Sequence, residues 1–291
     1  MFKGTITALV TPFKDGLVDA EAFGNLIDRQ IAAGIDGLVP VGTTGESPTL
    51  THDEHLRVIE LAVRRAAGRA KVIAGTGSNS TAEAVAYTQA AEKLGADAAL
   101  LVAPYYNKPT QEGVYRHLMA IAASTSLPLM LYSIPGRCGI EIAAETVARL
   151  ARDAKNIVAL KEAGGSVDRV SKLRQVLPDD FAILSGDDGL TLPFMSVGAR
   201  GVVSVASNLI PAEVKAMTDA ALAGDFVKAE QLHREYYPVF TDLFLEPNPV
   251  PIKAALAAKG LMSEEVRLPL VTMSDANRAK LFAALKNAEI L

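Results

Sequence analysis

A chain of 291 residues is long enough for one large domain, or for a large domain with a small appendage. Hydrophobic residues make up 49% and charged residues 21%, and no stretch nears the 18 or so uninterrupted apolar residues of a membrane span, so a soluble globular protein is expected. The net charge of −4, with acids and bases interspersed, argues against nucleic acid and for a small-molecule partner.

The chain opens M-F-K-G-T-I-T-A-L-V-T-P-F-K-D, an apolar run cut by Pro12 and Asp15, without the h-region or cleavage site of a signal peptide. Cys138 is the one cysteine; it excludes an internal disulfide and suits a reducing cytoplasm. Eight short β-type runs then follow: T-I-T-A-L-V (5–10), D-G-L-V-P-V (36–41), K-V-I-A-G (71–75), A-A-L-L-V-A (98–103), P-L-M-L-Y (128–132), I-V-A-L-K (157–161), F-A-I-L-S (181–185) and G-V-V-S-V (201–205). They are apolar without strict alternation, as in parallel strands covered on both faces.

Between them lie amphipathic stretches at helical spacing, such as Phe23, Leu26, Ile27 and Ile31, or Leu56, Ile59 and Val63. Asp19, Thr51 and Ser80 precede helical stretches as capping residues. An open doubly wound sheet would alternate in the same way, but eight units in about 225 residues match a (β/α)8 barrel. That assigns residues 1–224 to the barrel. Beyond them the strand runs stop, and helices divided by E-P-N-P-V-P (246–251) form a small C-terminal helical domain over 225–291.

In a barrel the chemistry sits where strands end. Those positions hold G-T-T-G-E-S (42–47), G-T-G-S-N (75–79), P-Y-Y-N-K-P (104–109), Y-S-I-P-G-R-C-G (132–139), Lys161, S-G-D-D (185–188) and S-V-A-S-N (204–208). Lys161 ends an apolar run. An ordinary strand-end lysine snorkels to water, but inside a barrel its amine is dried, its pKa falls, and a neutral amine can form a Schiff base with a carbonyl. Tyr132 and Tyr106 would bring hydroxyls near it.

The Gly-Thr-Thr-Gly turn is either a tight connection or a loop aiming N–H groups at a carboxylate. G-T-G-S-N lacks the third glycine of a dinucleotide fingerprint, and no G-K-[ST] occurs. His52 and His55 could share a helix face, as a surface pair or a ligand-recognition pair. H-D-E-H is not a zinc motif, and His117 and His233 lie far off in sequence, so no metal or other cofactor is expected. Cys138 beside Arg137 could be an activated thiolate or a small loop residue. Arg137 is either a surface arginine or a carboxylate clamp, and the residues alone leave both open.

Taken in order, T-A-L-V-T-P-F (7–13), G-T-T-G-E-S, P-Y-Y-N-K-P, Y-S-I-P-G-R-C-G, L-K-E-A, S-G-D-D, G-V-V-S-V and E-P-N-P-V-P-I-K (246–253) resemble the class I pyruvate-dependent aldolase and lyase family, most closely its dihydrodipicolinate synthase branch. The resemblance covers nearly the whole chain. It implies a Schiff base between Lys161 and pyruvate, a proton relay of Thr43, Tyr132 and Tyr106, with Tyr106 reaching into a neighbouring subunit, and a pyruvate carboxylate held by Thr44. It implies Arg137 on the carboxylate of L-aspartate 4-semialdehyde, backbone around Gly186 and Val203 lining the site, a homotetramer built as a dimer of dimers, and a cytoplasmic enzyme of lysine and diaminopimelate biosynthesis.

Ser133 stands where this family usually has Asn, and Cys138 where it usually has Thr, which bears on the shape of the second-substrate site. The feedback-inhibited branch binds L-lysine at a subunit interface, and the matching positions here are Ser47, Pro48, His52, His55, Asn79, Glu83 and Tyr105, with Pro48 least like the family. Two other readings compete: a pyruvate-producing lyase of a sugar acid or keto acid, and a non-catalytic barrel that senses a keto acid or amino acid. Arg137 disfavours the first, and the retained Lys161 and tyrosines disfavour the second.

Overall fold

The structure, a computed structural model, describes residues 2–291. Eight strands close into an all-parallel barrel: β1 (Gly4–Ala8), β4 (Gly37–Val39), β5 (Lys71–Gly75), β6 (Ala98–Val102), β7 (Leu129–Ser133), β8 (Ile157–Glu162), β9 (Ala182–Ser185) and β10 (Gly201–Ser204), with β1 paired to both β4 and β10. The remaining two strands, β2 (Phe13–Lys14) and β3 (Leu17–Val18), make an antiparallel hairpin outside the barrel. The sequence reading omits this hairpin, although Asp15 and Gly16 both take positive φ, 54° and 79°, in the manner of an Asp-Gly hairpin turn.

Helices α1 (Ala20–Ala32), α2 (His52–Ala66), α3 (Thr81–Lys93), α4 (Gln111–Ala122), the short α5 (Pro135–Cys138), α6 (Ala144–Asp153), α7 (Val167–Val176), α8 (Thr191–Met195) and α9 (Pro211–Leu222) fill the connections. Local chemistry starts them as expected: the Asp19 carboxylate accepts from the amide of Ala22, Thr51 and Glu54 form a reciprocal capping box, and the Ser80 hydroxyl accepts from Glu83. Phe23, Leu26 and Ile27 of α1, and Val58, Ile59 and Ala62 of α2, are buried at the spacing of one helical face. After α9 come α10 (Phe226–Asp242), α11 (Val250–Ala258) and α12 (Asp275–Asn287). Their apolar residues, among them Val239, Phe240, Ile252, Leu256, Leu281 and Leu285, share a core with Leu209, Val214 and Met217 beside the barrel.

Strand alternation decides which residues enter the barrel. Ala159 belongs to the interior cluster with Ile6, Leu100, Met130, Tyr132, Leu184 and Val203, while its neighbour Leu160 packs outward. Lys161, two residues after Ala159, is therefore on the interior face. Glu162 is on the outer one, where its carboxylate meets Arg169 Nε at 2.9 Å and the amide of Gly164 at 2.7 Å.

A second buried cation ties the last helices to the barrel. Lys253 of α11 is wholly buried, pairs with the equally buried Glu46, and donates to the Glu265 carbonyl at 2.9 Å. Glu46, at φ 55°, also accepts from the amide of Arg267 at 3.0 Å. Lys253 Nζ and the Arg267 guanidinium stand 4.2 and 4.3 Å from the centre of the Phe13 ring, so the hairpin forms one wall of this cradle. Arg267 also grips Glu54 at 2.6 and 2.7 Å and holds its carboxyl at a pKa of about 2.

Removing one member of a buried pair strands the other in low dielectric at a cost of about 3–5 kcal/mol. We expect Lys253→Ala to lower unfolding free energy in urea by that amount. Glu46→Gln combined with Lys253→Met should recover much of it; equal loss in both proteins would show that packing, not the orphaned charge, sets the cost.

Candidate active site

The barrel's strand ends bring the sequence-identified segments to one mouth. Pairing in register sets Val102, Tyr132, Lys161 and Leu184 side by side on β6 to β9. Lys161 is only 6% exposed, and its Nζ stands 4.1 Å from the centre of the Tyr132 ring. Burial lowers its pKa to about 7, opposed by Asp188 and assisted by Arg137. Half of such amines are neutral near pH 7, against a very small fraction for a solvated lysine.

The room for this side chain depends on Gly186. A Cβ there would lie 2.7 Å from the Ala163 side chain and 3.0 Å from Lys161 Cε. Glycine is required by proximity, not by backbone angle. Val203, wholly buried, belongs to the same interior cluster.

Tyr132 is 4% exposed, and burial raises its pKa to about 12; the Arg137 charge and a hydrogen bond from the Thr43 side chain oppose the rise. Its hydroxyl therefore keeps its proton except when a neighbour takes it. Thr43 and Tyr132, with Gly42, Ser47, Gly77 and Val102 among others, line a cavity of about 30 Å³. A larger groove of about 730 Å³ lies among Arg29, Glu213, Tyr236 and Lys259 and includes none of the strand-end residues. Chemistry favours the small cavity, because the shifted Tyr132 phenol lines it and the Lys161 amine lies against that ring.

The G-T-T-G-E-S loop is held under strain. Val41, a β-branched residue, has φ 52°, a conformation costing on the order of 1–3 kcal/mol. Gly75 permits it, since a Cβ there would meet the Val41 carbonyl at 2.4 Å. Thr11 donates to the Gly45 carbonyl at 2.7 Å, and the buried Thr44 hydroxyl takes a hydrogen bond of 3.0 Å from Asn248 Nδ2.

Arg137 is exposed on α5, and its Nη2 donates to the Asn248 carbonyl at 3.2 Å. Its charge reaches both Tyr132 and Lys161, which places it at the mouth and not on a remote surface. Tyr106 is not brought to the cluster within one chain: it is 90% exposed, at φ 69°. Ser133 is wholly buried, its hydroxyl accepting from the amide of Ile142 at 3.3 Å. Cys138 is buried, and burial raises its thiol to about 11, so the activated-thiolate alternative fails.

The second set of positions clusters beside the first. His52 and His55 do not form a plain surface pair: both stack on Tyr87, at ring-centre distances of 4.9 and 4.1 Å. His55 is buried, contacts the Gly75 carbonyl through Nε2 at 2.8 Å, and burial lowers its pKa. The Glu83 carboxylate accepts from Ser78, and Asn79 Nδ2 donates to the Tyr105 carbonyl at 3.1 Å. Ser47 adjoins Thr43, whereas Pro48 is exposed in a short 3-10 turn, Ser47–Thr49.

Three contributors escaped the sequence reading. Tyr87 follows Glu83 by one turn of α3, a spacing that could have revealed it. Asp188 was visible only as part of S-G-D-D. Asn248, inside the proline-rich E-P-N-P stretch, joins Thr44 to Arg137, a link across 204 residues that no local pattern announces.

The model of the Dihydrodipicolinate synthetase family matches residues 1–288. A 4-hydroxy-tetrahydrodipicolinate synthase of Geotalea daltonii is 52% identical over 291 residues, 100% of both chains. The solved 4-hydroxy-tetrahydrodipicolinate synthase of Methylacidiphilum fumariolicum SolV superposes with TM-score 0.99 at 56% identity, covering 99% of this chain and 96% of its own. Two further structures align at TM-score 0.97 and 44% identity, each covering 100% of this chain: the Cyanidioschyzon merolae enzyme with lysine bound, 99% covered, and the Acinetobacter baumannii enzyme complexed with pyruvate, 100% covered.

A neutral, enclosed amine should react with a small electrophile. We expect cyanate to carbamylate Lys161 ahead of surface lysines, with a rate that rises through pH 7 as the amine loses its proton. Gly186→Ala should abolish this preference by displacing the side chain. Peptide mapping after a short exposure measures both.

Proposed function

The chain belongs to the dihydrodipicolinate synthetase family, and from that premise we propose in detail how its barrel mouth condenses pyruvate with L-aspartate 4-semialdehyde to 4-hydroxy-tetrahydrodipicolinate. The observation that carries the mechanism is the buried Lys161 amine, at a pKa of about 7, against the Tyr132 ring. Neutral Nζ attacks the keto carbon of pyruvate, water leaves, and an iminium forms. Loss of a methyl proton gives the enamine, which attacks the aldehyde carbon; the amino group of the second substrate then closes on the iminium carbon and expels Lys161.

Tyr132, with Thr43 on its hydroxyl, shuttles these protons. Tyr106, exposed in the single chain, completes the relay across a subunit boundary in a homotetramer built as a dimer of dimers. Thr44, steadied by Asn248, holds the pyruvate carboxylate, and the backbone at Gly186 and Val203 lines the pocket. Arg137, anchored on the Asn248 carbonyl, binds the carboxylate of the semialdehyde. The barrel to residue 224 carries the chemistry, and residues 225–291 form its C-terminal unit. The enzyme works in the cytoplasm, in lysine and diaminopimelate synthesis.

L-Lysine inhibits from the neighbouring site. Glu83 pairs with the lysine ammonium, the His52–Tyr87–His55 stack forms its wall, and Ser47, Pro48, Asn79 and Tyr105 complete it. Asn79 bonds the Tyr105 carbonyl, one residue from Tyr106, and so supplies a short physical route between the sites.

Incubation with pyruvate followed by borohydride should give a stable adduct on Lys161, found by mass spectrometry; its absence overturns the reading. Arg137→Ala should leave the adduct intact and raise KM for the semialdehyde roughly ten- to a hundredfold, the value of a lost charge-assisted pair. In a separate assay, millimolar L-lysine should inhibit turnover, and Glu83→Ala should weaken that inhibition about tenfold or more. Flat activity in lysine would remove the regulatory assignment alone.

A further inference from the structure

Asp188 has no part in the relay, yet it is one of the most enclosed charges in the molecule. It is 1% exposed and lies in the loop after β9, two residues beyond the Gly186 that flanks Lys161 Cε. One carboxylate oxygen accepts from the Ser204 hydroxyl, at the end of β10; the other accepts from the amides of Val205 and Ala206, each at 3.0 Å. Three donors converge on it. An acid merely tolerated inside a core would be protonated, and would need an acceptor for its proton; every polar neighbour here donates, which suits the anion.

We propose that Asp188 is the fixed counter-charge of the reactive lysine: it sets the charge state of the free amine and offsets the positive charge that arises when the amine becomes an iminium. This rests on the Schiff-base reading above. A carbonyl compound turns a neutral Nζ into a permanent cation in a site with little water. The charged groups acting on Nζ are Asp188, which favours the cation, and Arg137, which opposes it; Tyr132 presents its ring. Around Asp188 itself stand Ser204, the two amides and the neighbouring Asp187, whose charge disfavours ionisation. Burial raises the Asp188 pKa to about 6 against those donors, so the carboxylate is mostly ionised at neutral pH. Asp188 is thus a positioning residue acting by charge, without touching substrate.

Asp188→Asn keeps the shape and removes the charge; its carbonyl oxygen can still accept from the Val205 and Ala206 amides, while its NH2 faces the Ser204 hydroxyl, which can turn to accept. The test follows borohydride trapping of pyruvate on Lys161 as a function of pH and pyruvate concentration. Without the anion the amine loses its proton more easily, so the acid limb of the trapping profile should move to lower pH by roughly one unit or more, and about tenfold more pyruvate should be needed for half-maximal trapping. Ser204→Ala, which keeps the carboxylate but removes one donor, should move the limb the same way by less. If Asp188→Asn does not fold, the Ser204→Ala profile decides. A limb that stays in place in the folded variant overturns the proposal. Failure of the native protein to trap pyruvate at any pH would instead overturn the Schiff-base reading.

Discussion

Everything at the mouth follows from drying one amine. Lys161 is held 6% exposed on the interior face of β8, and an ammonium there loses solvation that no full partner restores. The loss is not offset, as it is in part for Lys253, by a carboxylate in direct contact. The amine sits instead against an aromatic face, with Asp188 acting from a distance. A close ion pair would have kept it protonated and inert; complete isolation would have left the iminium unsupported. The arrangement lies between these limits, which suits the nucleophile proposed above, an amine that becomes a cation.

That intermediate position has to be built precisely in space by parts that do no chemistry. Parallel register carries Tyr132 and Lys161 to the same level of adjacent strands. Gly186 leaves the gap for the lysine stem. Gly75 leaves room for the left-handed Val41, two residues before the Thr43 that acts on Tyr132. Strain in Val41 is sustained because Thr11, Asn248 and the Glu46 pair hold the loop from several directions.

The barrel was legible in the sequence because parallel strands covered on both faces leave a composition that survives without alignment: I-V-A-L, A-A-L-L-V, F-A-I-L. Strand ends were less so. T-I-T-A-L-V suggests a strand to residue 10, yet the strand ends at Ala8: the Val10 amide leaves the ladder for the Asn208 side chain at 3.2 Å, and Leu9 and Val10 pack among the helices. Lys161 stood out because a charge ending an apolar run violates local logic. Asp188 did not, because an acid in a glycine-rich loop is ordinary until its burial is known. The hairpin at 13–18 carried its Asp-Gly signal in plain view, but strands of two residues are too short for periodicity to register. Lys253 was hidden for the opposite reason: E-P-N-P-V-P-I-K reads as a proline-rich break between helices, and only tertiary pairing reveals that its lysine is buried.

The Lys253–Glu46 pair also sets an order on the life of the chain. The loop that contains Thr43 and Thr44 leaves the ribosome early, but its buried acid finds its cation only when residue 253 arrives, and Arg267, bonded to Glu46 from 221 positions away, arrives later still. Until then the nascent barrel carries a carboxylate that needs water, and the strained turn beside it lacks its clamp. The hold on this loop is therefore completed only by the C-terminal segment. A chain cut before residue 253 would lack both of the groups that hold the Glu46 carboxylate beside Thr43 and Thr44.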